Sequence, residues 1–424
     1  QVITEDRASG AQVVEGSLRF DGSKSQYLKR TFSSGNGKTW TWSAWVKKHS
    51  VGTDRRLFAS DADSSNQGAF KFIGDQIQFF FRTSGNFDIN LYTEAFFRDT
   101  GWYHMMAVVD TTIASPSTDR VKLYVNGVLQ TISSSYNTYP SENYQTRINS
   151  NVEHSIGRYI SNGSQNINDS LSQVYFLDGQ ALGPENFGYT DPLTNTWRPK
   201  KFIATGPNNG TTWSGNVTSS NFASGSATNV FDGNFYGSQA TINSSDASNN
   251  HITLSSVNVV ASKVGVVLSN SGSDIQVYVN GSLVGTAAAG DIINNNPKHF
   301  EFTFTETTVS TIKVQRVSST SGWQIYGVSL NGVTLTDGDT SNMGTNGFYL
   351  PMDGNSLIGK DQSGRGNDWT PVNFTGSVAP DNPTADGALS ILKPYKPGGV
   401  RTDSKTYTVT ASGGNYYIDG ALKP

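Results

Sequence analysis

Residues 39–48 read TWTWSAWVKK. Successive side chains of an extended strand point to opposite faces, so Trp40, Trp42, Ala44 and Val46 share one side and Thr41, Ser43, Trp45 and Lys47 the other. The first set is predicted core. Around it lie further short runs rich in aromatic and β-branched residues and closed by Gly, Asn, Asp or Ser: SLRFDGSKSQYLKR (17–30), RLFAS (56–60), AFKFIGDQIQFFFR (69–82), GWYHMMAVVD (101–110), VKLYVNGVLQ (121–130), HSIGRYI (154–160) and DSLSQVYFLDG (169–179). Each reads as a strand, and period-two alternation recurs where no apolar period of 3.6 is sustained. GPENF at 183–187 allows one helical turn or a plain loop.

The phrase Tyr-x-Asn/Asp-Gly returns at 124–127, 278–281 and 417–420, with SLNG at 329–332 as a variant. Asn-Gly and Asp-Gly supply the positive φ angles of a two-residue hairpin, so these are turns. A linker is predicted near 197–212, where Pro and Gly cluster. Smaller side chains follow, with strands in ITLSSVNVVASKVGVVLS (252–269), SDIQVYVNGSLVGTA (273–287), KHFEFTFTE (298–306) and WQIYGVSLNGVTL (323–335), enough for a second sandwich. The expected divisions are an arm at 1–13, a sandwich at 14–200, a second at 201–340 and an extended segment at 341–424 that ends in the opening hairpin of another module. The fold class is all-β, with tandem jelly-roll β-sandwiches.

The 424 residues carry a net charge of -3, with 15% charged residues and no basic run, which argues against a nucleic-acid partner. No apolar run reaches the roughly 20 residues of a membrane-spanning helix, so no membrane insertion is expected. The absence of cysteine excludes disulfides, thiol chemistry and cysteine zinc sites. The five histidines show no metal-ligand spacing, and His104 reads as a core or sheet-edge residue.

Phe20-Asp21-Gly22, Tyr27-Leu28, Trp40 to Lys47, Trp102-Tyr103-His104, Leu123 to Gly127 and Ile156-Gly157-Arg158 together resemble the concanavalin A-like, laminin-G-like superfamily, over about residues 14–180. With TNTWRPKKF (194–202), GTNGFYLPMDG (344–354) and GKDQSGRGNDWTP (359–371), the chain resembles laminin-G-like proteins of marine tailed bacteriophages, and the second sandwich then stands as an insertion. ATNVFDGN (227–234) and WQIYGVSLNG (323–332) resemble galactose-binding-like, discoidin-type domains. Gly327-Val328-Ser329 stands where that family often places an acidic residue, which weakens any inherited calcium site.

The resemblance implies a virion surface protein, such as a tail fibre, tailspike or capsid appendage, that binds cell-surface glycans without catalysis. It would be extracellular, homo-oligomeric and in contact with other virion proteins. Two alternatives stand beside it: an architectural subunit packing against its own copies, and a secreted cellular adhesin. A retaining glucanase of this superfamily needs a close carboxylate pair, and Glu15, Glu94, Glu142, Glu153 and Glu185 show no such spacing. Trp45 between Ser43 and Lys47 is the candidate sugar-stacking platform, and Asn86, Asp88, Asn90 and Tyr92 in TSGNFDINLY form a polar-aromatic candidate loop. No cofactor is required by the sequence. Calcium is the metal that suits its oxygen-rich turns, with Asp232 and Asn234, and Asp361 and Asp368, as candidate ligands, though both stretches also read as Asx-turns.

Overall fold

The computed structural model describes residues 12–204, 206–219, 221–235, 239–242, 250–317, 322–339 and 341–374, with strand backbone at 378–379, 409–412, 415–418 and 421–422. Among these residues the fold is all-β, and its helices are single 3-10 turns such as Pro184–Asn186.

The first sandwich contains β1 (Ser17–Arg19), β2 (Tyr27–Thr31), β3 (Thr39–Lys47), β4 (Arg55–Asp61), β5 (Gln67–Ile73), β6 (Gln76–Thr83), β7 (Asn86–Thr93), β8 (Trp102–Asp110), β9 (Val121–Val125), β10 (Val128–Leu129), β11 (Ile132–Thr138), β12 (Glu153–Ile156) and β13 (Ser170–Asp178). A hairpin of β14 (Gly188–Asp191) and β15 (Thr196–Pro199) follows. The second sandwich runs from β16 (Val217–Ser219) and β17 (Phe222–Ser224) through β18 (Ala240–Ile242), β19 (His251–Leu254), β20 (Val259–Ser269), β21 (Ile275–Val279), β22 (Ser282–Ala287), β23 (Lys298–Val309), β24 (Ile312–Arg316) and β25 (Trp323–Leu330) to β26 (Val333–Thr334). The chain then returns to the first sandwich with β27 (Phe348–Leu350), β28 (Thr370–Val372) and β29 (Val378–Ala379).

One sheet of the first sandwich has the order β10-β9-β8-β3-β13-β1-β29, with β27 also on β13; the other runs β11-β7-β6-β5-β4-β12-β2-β28. Between them lies an aromatic core. Trp40 and Trp42 are fully buried, and Trp42 stacks on Phe58 with centroids 5.9 Å apart. The second sandwich packs β16-β19-β24-β21-β22 against β17-β18-β25-β20-β23, with β26 on β25, around its own core of Val, Ile, Leu and Trp323.

The segment after residue 340 departs from the sequence expectation. Residues 344–372 are not an extended connector: Phe348, Leu350, Met352 and Trp369 are buried in the first core, and Phe348 and Trp369 pack edge to face at 5.1 Å. The physical reason is that β13 has room along one side for two short strands. β1 pairs with its first residues and β27 with Val174–Phe176. Three-residue strands carry too little alternation to be legible alone.

The hairpin turns have the expected left-handed pairs: Asn126 and Gly127 at φ 49° and 78°, Asn280 and Gly281 at 50° and 81°, Asn331 and Gly332 at 48° and 82°. Asp419-Gly420 and the Pro-rich stretch 380–403 lie outside the described residues, as does most of the 1–13 arm. Residues 409–412, 415–418 and 421–422 form a three-stranded antiparallel sheet of their own.

Candidate functional site

The residues singled out from the sequence do not gather in one place. Trp45 lies on the outer face of β3 as expected, but it is only 4% exposed and packs against the His104 ring at 5.2 Å. The correction has a specific cause. Hairpin β14–β15 folds over this face, and His104 accepts no solvent there: its ring bonds Ser43 Oγ (2.8 Å) and the Trp197 indole N–H (3.1 Å). Phe187, Phe202 and Met343 cover the same sheet beside it. An indole enclosed in this way offers no platform for a sugar.

NFDINLYT is strand β7, not a loop. Ile89 and Leu91 enter the core, which forces the alternate residues outward. Asn90 is buried and accepts from Gln78 (2.8 Å), and Tyr92 stacks on Tyr136 at 4.2 Å. Asn86 is exposed at the strand's start. A register shift leaves Asp88 opposite no residue of β6, and Asp88 instead accepts the Tyr144 hydroxyl at 2.8 Å. The four side chains therefore have different partners and do not converge.

The two calcium candidates also separate. Asp361 uses both oxygens on its own loop and on β27, accepting from Tyr349 N, Ser363 N, Ser363 Oγ and Asn367 N at 2.8–2.9 Å. Asp368 accepts from the Asp361 amide and from Lys360. Asp232 accepts the Asn234 amide at 2.7 Å, an Asx-turn. Among the described residues no group of three or more His, Cys, Asp or Glu is placed to hold a metal ion.

The structure instead shows a cleft of about 840 Å³ between the two sandwiches. One wall is the β2–β3 loop with residues 142–150, carrying Lys38, Glu142, Asn143 and Asn149; the other is the outer face of β20 and β23 with the loop before β23, carrying Phe235, Lys263, Asp291, Lys298, His299, Glu301 and Thr303. The cleft thus holds three lysines and three carboxylates and has little net charge.

The first wall is held by buried amides. Asn36 Oδ1 accepts from Lys38 N (3.0 Å) and Thr39 N (3.2 Å), which turns the chain into β3. Asp178 accepts from Asn36 N (2.9 Å), Asn149 Nδ2 (2.6 Å) and Asn346 N (3.1 Å), and Asn346 in turn donates to Asn149 Oδ1 (2.8 Å). Burial pushes the Asp178 carboxyl up, against these bonds. On the second wall, Gly265 has no side chain where Ser329 Oγ and His299 Nε2 crowd its strand.

Several polar atoms on the second wall face no protein partner. Among the described residues both Glu301 carboxylate oxygens and His299 Nδ1 are buried without a hydrogen bond; Ser329 Oγ and Asn36 Nδ2, whose residues do not line the cleft, are buried without one as well. Burial holds His299 below the usual imidazole range, hence neutral at pH 7, although Glu301 opposes this. Burial likewise pushes the Lys38 ammonium down, while Glu301 raises it, so these two charges sense each other across the cleft.

The walls are fixed relative to each other. Asn208 on the outgoing linker donates to Thr334 O and Asp339, accepts from Trp213 Nε1, and receives Asn342 Nδ2 from the returning linker on its carbonyl. Asp339 pairs with Arg365 of the first sandwich at 3.3 Å. The turns after β13 and β25 meet at Gly179 and Gly332, where a Cβ on either would collide with the carbonyl oxygen of the other. Both have positive φ, 86° and 82°. Gly332→Ala is expected to cost about 2–4 kcal/mol by combined overpacking and left-handed strain. Urea unfolding measures the loss, and an unchanged midpoint would count against the contact.

Residues 21–186 match the family described as the concanavalin A-like lectin/glucanases superfamily, and the first sandwich is a concanavalin A-like, laminin-G-like domain. Similar solved structures include a native heptameric SAP-like pentraxin from Limulus polyphemus (14% identity, 41% of this chain and 80% of that one, TM-score 0.30). Domain 4 of the arabinanase AbnA from Geobacillus stearothermophilus, in complex with arabinotriose, is 16% identical over 43% of this chain and 81% of that one, with TM-score 0.31. Domains LG4-5 of the mouse laminin alpha1 chain are 9% identical over 80% and 91%, with TM-score 0.30. No curated protein sequence matches the chain.

Proposed function

We propose that the chain binds glycans without cleaving them, in the cleft between its sandwiches, and that it does so at the surface of a tailed-phage virion. One observation carries the binding site: a fixed-walled cleft of about 840 Å³ lined by Glu301 and His299, whose carboxylate oxygens and Nδ1 are buried without a hydrogen bond among the described residues. Buried polar atoms without partners are costly, and a polyhydroxylated ligand satisfies them. Walls already braced by the linkers spare the ordering cost that weakens most sugar sites. Near-neutral charge suits a glycan better than a polyanion. The virion setting rests on the phrases TNTWRPKKF, GTNGFYLPMDG and GKDQSGRGNDWTP and their order.

A glycan array probed with the whole chain tests the reading. Thr303 is exposed on the cleft wall and outside both cores, so Thr303→Trp is expected to fill the cleft and abolish array binding with stability unchanged. Failure of the parent chain to retain any glycan would end the proposal. Glu142 and Glu301 both line the cleft. Release of new reducing ends from a bound glycan would therefore replace binding with hydrolysis.

A further inference from the structure

Glu301 presents an unusual demand. Its carboxylate is an acceptor only, and both oxygens are buried without a partner among the described residues. Its charge is already offset within the cleft, where three lysines stand among three carboxylates, and Lys38, which donates to Asn143 Oδ1 at 3.2 Å, interacts favourably with it from the first wall. What the site lacks is therefore hydrogen-bond donors without added charge. A ligand ammonium would meet Glu301 at the cost of repulsion from Lys38. A ligand carboxylate would face Glu301 and Asp291, and Asp291 already holds Lys298 at 3.4 Å. Two hydroxyls on neighbouring carbons meet the requirement, since a carboxylate takes two parallel donors in the geometry it uses for a bidentate partner.

Resting on the cleft reading above, we propose that Glu301 selects neutral sugars by accepting one hydrogen bond at each carboxylate oxygen from a vicinal diol, while Lys38 donates to a ligand oxygen from the facing wall. His299, which lines the same wall as Glu301, has its Nδ1 buried without a hydrogen bond and is a further polar group beside the subsite. The two sandwiches then contribute jointly to one subsite, and neither alone contains it.

The test uses the full chain, with ligand-observed NMR on the methyl glycosides of glucose, mannose and galactose, the matching uronic acids and amino sugars, and deoxy forms lacking one hydroxyl of each vicinal pair. Neutral glycosides are expected to bind, and Glu301→Gln to weaken them about tenfold or more, the scale of hydrogen bonds to a charged group. Each deoxy sugar should lose affinity for the parent chain, and one of the pair should lose none further in Glu301→Gln, because the amide keeps one acceptor oxygen and the bond to the other is then removed twice. Preference for uronic acids or amino sugars, or an unchanged Glu301→Gln affinity alongside a Thr303→Trp loss, would overturn diol selection and leave the cleft in place. Sugar binding that survives Thr303→Trp would overturn both, and Lys38→Ala with full affinity would remove the facing donor from the scheme.

Discussion

A chain that ends at Asp339 is expected to lose the first sandwich altogether, although every strand from β1 to β13 is present in it. Three strands of that sandwich come from beyond residue 340: β27 on β13, β28 on β2 and β29 on β1. With them go Phe348, Leu350, Met352 and Trp369, whose removal opens the core beside Phe32, Phe58 and Phe176. Asn346 leaves too, and with it two bonds to the Asp178–Asn149 pair. The point variant Trp369→Ala isolates one part of this. Trp369 is 2% exposed and contacts Phe32 at 5.8 Å and Phe348 at 5.1 Å, so its truncation is expected to cost about 3–5 kcal/mol, the range for a buried aromatic. Conversely, replacing residues 209–334 by a short linker should leave the first sandwich cooperative, because among the described residues its strands pair only with one another. Denaturant unfolding followed by tryptophan fluorescence reads all three. Cooperative unfolding of the chain ending at Asp339 would show that the later strands merely decorate a finished fold.

That architecture was half legible. TWTWSAWVKK declares its inner face because Trp40, Trp42, Ala44 and Val46 keep strict period two, and the Asn-Gly pairs declare hairpins because few residues tolerate their φ angles. The outer face of β3 was misread for a reason of the same kind. Thr41, Ser43 and Lys47 are polar, yet a strand's polar side is exposed only if nothing folds over it, and hairpin β14–β15 does. The cleft was less accessible still. Lys38 and Glu301 belong to different sandwiches, and a search for carboxylates at fixed spacing within one domain has no means of pairing them. Gly265 and Gly332 did carry a signal, a glycine inside or beside an otherwise β-branched run, which marks close approach by another chain segment. Asp361 and Asp368 show the limit of composition: an acid-rich turn can spend every carboxylate oxygen on neighbouring amides, a hydroxyl and a lysine.

Acid should unfold this protein well above the usual carboxylate range, and two histidines make the case. His104 sits beneath Trp197, and His154 is stacked on Phe32 with centroids 3.8 Å apart. Burial lowers both from 6.5 to about 3. The unfolded chain therefore takes up two protons at these histidines near pH 6.5 that the folded chain refuses until about pH 3, and His299, also lowered by burial, adds to the uptake in the same sense. Stability is full above that window and falls as pH drops through it, by about 1.4 kcal/mol per histidine per pH unit, or roughly 5 kcal/mol for the pair between pH 6.5 and 4.5. Asp61, Asp169 and Asp178 act in the opposite sense. Burial raises all three, so each protonates sooner in the folded state and lessens the loss toward the lower end of the window. Urea unfolding at half-unit steps from pH 7 to 4 gives the slope. His104→Gln is expected to reduce that slope by one proton's worth while the carboxylate contribution stays as it was. Equal slopes for the variant and the parent chain would mean that His104 is solvated enough to ionise in place, and the enclosure of the β3 outer face by the β14–β15 hairpin would then have to be given up.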